Sequence, residues 1–218
     1  MERVLPITVL TGHSGSGKTT LLNRILSESP NERIAVILNA PSALDVDHGT
    51  VVHATELVEL NGGDLCVTAR DGLVAAIRRI LQNSRAPNRI LIETSGLADP
   101  AATIRTLVLD DELRSRTRLD AIVTVVDLKY LIAHWNVREA CAQIVFGDVI
   151  VLNKTDLVSE AELFAVRDRI RRMKLFTRMF ATERCELPIE HLLDLGAFSL
   201  NRAMAIDPQL PAAISPLA

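Results

Sequence analysis

Gly12-His13-Ser14-Gly15-Ser16-Gly17-Lys18-Thr19 is the stretch on which the reading of this chain turns. It fits the G-x-x-x-x-G-K-[ST] spacing of a phosphate-binding loop. Its surroundings support that use. Residues 5–10 read as a buried apolar strand, and residues 20–26 as a helix with Leu21, Leu22, Ile25 and Leu26 on one face. A loop between strand and helix presents free N–H groups and the positive end of the helix dipole. Glycine lets the backbone approach phosphate where a Cβ would obstruct it. The stretch from Gly12 to Thr20 is therefore expected to hold phosphate, with Lys18 on the β- and γ-phosphates and the Thr19 hydroxyl on magnesium.

The rest of the 218 residues alternates strand and helix patterns. Strands are expected at 33–39, 55–60, 89–92, 119–126, 149–152 and 175–181. Helices are expected at 71–82, after Pro100, over 129–146 with a break near Trp135-Asn136, from Ser159 to about Met173, and at 188–195. Ser159 and Glu162 make a capping box. Asn61-Gly62-Gly63-Asp64 signals a turn, and 40–54 is a long polar loop of functional length. This order predicts an α/β three-layer fold: a mostly parallel sheet covered by helices on both faces. Ligands of such sheets bind at the carboxyl ends of the strands. Residues 1–206 are expected to form one domain, and 207–218 a Pro- and Ala-rich tail that frays.

Composition narrows the function. A net charge of -3 and 3% aromatic residues argue against a nucleic-acid surface. Three scattered cysteines, Cys66, Cys141 and Cys185, argue against a disulfide framework. Met1-Glu2-Arg3 leads straight into the first strand, and no apolar run reaches membrane-spanning length. A cytoplasmic protein is expected, with neither nucleic acid nor membrane as partner.

Two further motifs refine the ligand. Glu93 ends a buried strand with Gly96 three residues on. The carboxylate can hold magnesium beside Thr19, and the Gly96 N–H can sense a γ-phosphate. Asn153-Lys154-Thr155-Asp156 follows another strand end. The Asp156 carboxylate can accept from guanine N1–H and N2–H₂, donors that adenine does not offer as a pair. Asn153 can hold loop backbone and contact the base, and the Lys154 stem can cover the ring. GTP or GDP is the expected ligand.

These segments resemble the CobW-like metallochaperone GTPases. The resemblance lies in Gly12 to Leu22, in Leu91-Ile92-Glu93-Thr94-Ser95-Gly96-Leu97-Ala98-Asp99-Pro100, in 119–127 and in Val149 to Leu157. It implies a SIMIBI-class domain that hydrolyses GTP slowly and couples GTP state to delivery of a transition metal, zinc or cobalt, to a metalloprotein client. It also implies Lys18, Glu93 and, on the mobile loop, Asp47 as catalytic residues, Asp47 for magnesium or water. The loops 40–54 and 95–99 would act as switches.

Four departures stand against the family pattern. Its C-x-C-C metal motif is reduced to Cys66, with Asp64 where the first cysteine would stand. Cys66 is then either a ligand or a small partly buried residue, since a closed site wants about four ligands. Both glutamates of the loop after the second strand are gone, while Asn39 and Asp47 are kept. The family's C-terminal domain is not expected within these 218 residues, and His13-Ser14 replace an apolar pair. His13 is read as a solvent-facing loop residue, with contact to phosphate as the alternative. His134 and His191 are read as structural. The competing function is a GTP-dependent protein-interaction switch without metal handling; a small-molecule kinase is disfavoured, because no Arg-rich lid is visible.

Overall fold

The computed structural model describes residues 4–40, 51, 54–61, 66–83 and 87–210. Seven strands form one sheet: β1 (Leu5–Thr11), β2 (Ile34–Ala40), β3 (Glu56–Asn61), β4 (Arg89–Glu93), β5 (Thr117–Asp127), β6 (Val149–Asn153) and β7 (Arg178–Ala181). Every pairing is parallel, in the order β3-β2-β4-β1-β5-β6-β7. The helices are α1 (Lys18–Glu28), α2 (Cys66–Gln82), α3 (Pro100–Leu109), α4 (Asp111–Arg116), α5 (Leu128–Ala133), α6 (Arg138–Phe146), α7 (Glu160–Met173) and α8 (Leu200–Ile206). The expected parallel sheet with helices on both faces is what the chain forms.

The reason is the strand period of two. Ile90 and Ile92 of β4 pack into one apolar cluster with Ile77, Ile80 and Ile104 of the helices beneath. Leu91, between them, points to the other face and joins Leu21, Leu22 and Ile25 of α1. Every residue of β4 and β6 is buried, as a parallel strand covered on both faces requires. A third cluster closes α5, α6 and α7 over β5 and β6.

Topology places the site. From β1 the chain runs outward through β2 and β3, returns at β4, and then crosses β1 to start β5. The loop after β1 therefore sits where the winding direction reverses, the place where open sheets leave a crevice for ligand.

Several boundaries differ from the sequence reading. α2 starts at Cys66 instead of Asp71, because nothing in the preceding residues breaks a helix. The sixth expected strand shortens to β7, leaving Phe176 98% exposed. The helix expected at 188–195 is only a 3-10 turn, Ile189–His191. Left-handed residues Asp194 and Gly196 stop it, and the final helix is α8, capped by Ser199. The stretch read as a fraying tail begins packed: Asp207 pairs with Arg105 at 2.6 Å and Leu210 is buried. The turn at Gly62-Gly63-Asp64 and nearly all of the long loop after β2 lie outside the described residues.

Candidate functional site

The loop from Gly12 to Thr19 is held open by backbone conformations that need glycine. Gly12 has φ +143°, and a Cβ there would lie 2.1 Å from the Val125 carbonyl oxygen. Gly17 has φ +111°, and a Cβ there would lie 2.5 Å from Asn153 Nδ2. Gly15, at φ +73°, has open space where a Cβ would stand. The loop thus packs tightly against the fold on one side and faces outward on the other. Ser14, Gly15 and Thr20 are exposed.

Gly17 begins α1 without a side-chain cap, and the first turn carries no acidic residue. Free amides and the dipole end are left for an anion. Lys18 is buried and donates from Nζ to the carbonyls of Gly12 at 2.9 Å and His13 at 3.1 Å. Its charge is thereby fixed inside the curl of the loop. These features fit a phosphate chain.

The Thr19 hydroxyl donates to Glu93 Oε1 at 2.7 Å, although 74 residues separate the two. Register explains the meeting: Glu93 ends β4 opposite Leu10 of β1, the neighbouring strand. Two hard oxygen donors side by side fit magnesium. Gly96 lies against the same loop, since a Cβ on it would stand 2.4 Å from the Ser14 nitrogen.

At the end of β6, Asn153 bridges two loops. Its Nδ2 donates to the Ser16 carbonyl at 2.9 Å, and its Oδ1 accepts from the Cys185 amide at 2.9 Å and the Thr182 hydroxyl at 3.3 Å. Of the two uses read for Asn153, holding loop backbone is the one these bonds display. Lys154 sits at φ +64° and pairs with Asp127 at 2.6 Å. Burial raises the Asp127 carboxyl, but Lys154 and the Tyr130 amide outweigh it and hold the group below its ordinary value. Asp156 is exposed in the 3-10 turn Thr155–Leu157.

Sequence reasoning missed the segment 182–185. Arg184 and Cys185 are both left-handed, at φ 50° and 58°, yet neither is Gly or Asn, so no turn signature marks them. Cys185 is fully buried and its Sγ lies 3.5 Å from the Gly17 carbonyl. Burial pushes its thiol up to about 12, so it meets the loop as a neutral SH group.

His13 is not the solvent-facing residue expected. It is half-buried, and its ring stacks on Tyr130 at 3.6 Å; Tyr130 in turn stacks on His134 at 4.1 Å. His134 ends α5 and its Nδ1 meets the Tyr130 carbonyl, a structural place. His191 stacks on Phe180. Asp47 and Asp64 lie outside the described residues, and Cys66 is described only as the first residue of α2. Among the described residues no group of three or more His, Cys, Asp or Glu side chains could hold a metal ion. Among them, too, no helix is long and apolar enough to cross a membrane.

Comparison with known proteins gives the same picture. A family model described as CobW/HypB/UreG, nucleotide-binding domain, matches residues 6–180. The zinc-regulated GTPase metalloprotein activator 1 of Schizosaccharomyces pombe is 35% identical over 204 residues, covering 89% of this chain and 50% of that protein. The zinc chaperone YjiA of Escherichia coli is 31% identical over 203 residues, 90% of this chain and 63% of its own. The Zn(II)-bound triple mutant of the YjiA GTPase superposes with a TM-score of 0.68 at 25% identity, over 91% of this chain and 64% of that one. The chain spans about half the length of the activators it matches.

Proposed function

The chain belongs to the CobW/HypB/UreG family of nucleotide-binding domains, and from that premise we propose that it binds magnesium-GTP, hydrolyses it slowly, and uses the nucleotide state to control transfer of a transition metal to a client metalloprotein. One observation carries the nucleotide part: two segments distant in sequence, the end of β4 with the residues after it and the end of β6, converge on the loop after β1. Thr19 meets Glu93, Gly96 abuts Ser14, and Asn153 holds Ser16.

Each residue has a place in that chemistry. The loop amides and Lys18 stabilise charge on the γ-phosphate as its bond to the leaving oxygen loosens and water attacks. Thr19 and Glu93 would hold magnesium, which when bound supplies positive charge at the β- and γ-phosphates. Gly12 to Thr20 cradle phosphate, and Gly96 reports the γ-phosphate. Asp156 selects guanine, with Asn153 and Lys154 bracing its loop. Asp47 positions water or magnesium from the loop after β2. Three scattered cysteines fit a reducing compartment, and the cytoplasm is the location proposed.

The metal is substrate here, and the relatives' names point to zinc ahead of cobalt. Cys66 and Asp64 are the ligands proposed from this chain. A second reading, a GTP-dependent interaction switch without metal handling, draws on the reduction of the family's C-x-C-C motif to Cys66.

Two titrations test these readings. Asp156→Asn is expected to move preference from GTP toward xanthosine triphosphate by about tenfold or more, because the carboxylate match to N1–H and N2–H₂ is lost; unchanged GTP preference refutes the base assignment. Zinc titration with and without GTP separates the two readings. Nucleotide-dependent binding abolished by Cys66→Ser supports metal delivery, and zinc binding indistinguishable from a buffer blank sinks it in favour of the switch.

A further inference from the structure

The loop 95–99 carries Gly96 and is closed on itself by a single turn bond, Ala98 N–H to the Ser95 carbonyl at 3.1 Å. Its apolar residue Leu97 is 71% exposed, so no core anchor fixes it. Its ends are tied: Thr94 N–H donates to the Leu10 carbonyl at 3.0 Å, and Asp99 caps α3 by accepting from Ala101 N. Between them, Gln143 of α6 reaches in from the crevice it shares with His13 of the phosphate loop. Its Nε2 donates to the Gly96 carbonyl at 3.1 Å and lies 3.5 Å from that of Ala98.

Gln143 is a fixed post. It is 2% exposed. Its own carbonyl accepts from the Thr124 hydroxyl at 2.6 Å and the Gly147 amide at 3.1 Å. A Cβ at Gly147 would stand 2.4 Å from Thr124 Oγ1, so α6 ends hard against β5. Apolar packing between the phosphate loop and α6 is incomplete: a crevice lined by His13, Tyr130, Leu131, Ala140 and Ile144 runs there. The amide of Gln143 crosses what packing leaves open.

We propose that Gln143 is a positioning residue: by holding the Gly96 carbonyl it restrains rotation about Gly96, and so keeps the Gly96 N–H, on the peptide before, aimed in advance at a γ-phosphate. The inference rests on the GTP reading above and goes beyond it by placing γ-phosphate discrimination partly in α6. A donor is required, because the groups it meets are carbonyls. An apolar side chain of the same length keeps the packing and loses the aim. GDP has no γ-phosphate, so its binding is insensitive to this residue.

The test compares GTP and GDP affinity in wild type, Gln143→Met and Gln143→Glu, each checked for folding by thermal unfolding. Gln143→Met is expected to weaken GTP binding about fivefold to tenfold while leaving GDP within about twofold, the scale of one hydrogen bond. Gln143→Glu is expected to lose GTP preference at about pH 8 and regain it toward about pH 6, because a buried carboxyl protonates early and can then donate to the Gly96 carbonyl. Wild type shows no such regain. A Met variant with the wild-type GTP:GDP ratio overturns the inference; should that variant not fold, a pH-independent ratio in the Glu variant overturns it. Wild-type protein that binds neither nucleotide refutes the GTP reading, and the inference with it.

Discussion

At the amino end of the sheet buried charged side chains tie separate elements together, whereas at the carboxyl end polar side chains mostly close on loop backbone. Arg89, the first residue of β4 and 6% exposed in its side chain, bridges Glu32 at 2.6 Å and Asp194 at 2.8 Å. Asp148, just before β6, pairs with Arg202 and accepts from the Ile122 amide at 2.9 Å. Asp120 accepts the Leu195 and Gly196 amides and anchors the chain after the 3-10 turn. These contacts satisfy buried charge inside the fold, which is a stability role. At the other end Lys18, Asn153 and Gln143 each hold carbonyls of a loop. The phosphate loop that Lys18 and Asn153 hold contains the positive-φ residues Gly12, Gly15 and Gly17. Most of the left-handed backbone among the described residues is gathered around the proposed ligand site, with Asp194 and Gly196 at the other end, and most of the buried paired charge lies away from that site, with Lys154–Asp127 as the exception.

The contrast can be broken at either end. The largest effect should come from Lys18→Ala: GTP affinity is expected to fall roughly a hundredfold, since charged hydrogen bonds to phosphate are lost, with little change in the unfolding midpoint. Near wild-type binding would remove the phosphate-loop reading. Next, Gly12→Ala should cost about 2 kcal/mol of stability and Gly15→Ala about 1 kcal/mol or less, because only the first meets backbone on its packed side. Urea unfolding of the pair decides it, and equal costs would mean that the loop is not wedged against β5.

Arg89→Met is expected to lose about 1 kcal/mol of stability, a small figure because the side chains of Glu32 and Asp194 are 39% and 64% exposed. GTP affinity should not move; a change there would show that the two ends are coupled. The last effect, a change of slope with pH, concerns Lys174, whose ammonium donates to the Val145 and Gly147 carbonyls. Burial pulls it down from 10.5 to about 8, against the pull of Asp148. Between those values the unfolded chain holds this proton more than the folded chain does, so stability through Lys174 rises with pH across that window. The rise in unfolding midpoint from pH 8 toward pH 10 should shrink in Lys174→Met, and an unchanged slope would assign it elsewhere.

The sequence by itself determined the sheet, and it marked the phosphate loop and the motif proposed to read guanine. All three are local: apolar runs such as that of β4, the run from Gly12 to Thr19 after a strand, and Asn153 to Asp156 after another. The capping box at Ser159 and the break between α5 and α6 were legible for the same reason. Tertiary structure decided which residues meet. Parallel crossovers bring Asn153 to Ser16 across 137 residues and Gln143 to Gly96 across 47. Sequence supplied the amide but no sign of the carbonyl it would find. His13 was legible as a residue of the loop, yet its stacking on Tyr130 depends on where α5 lands. Arg184 and Cys185 take left-handed backbone that only packing around them imposes, and so the segment that steadies Gly17 and Asn153 left no mark in the sequence.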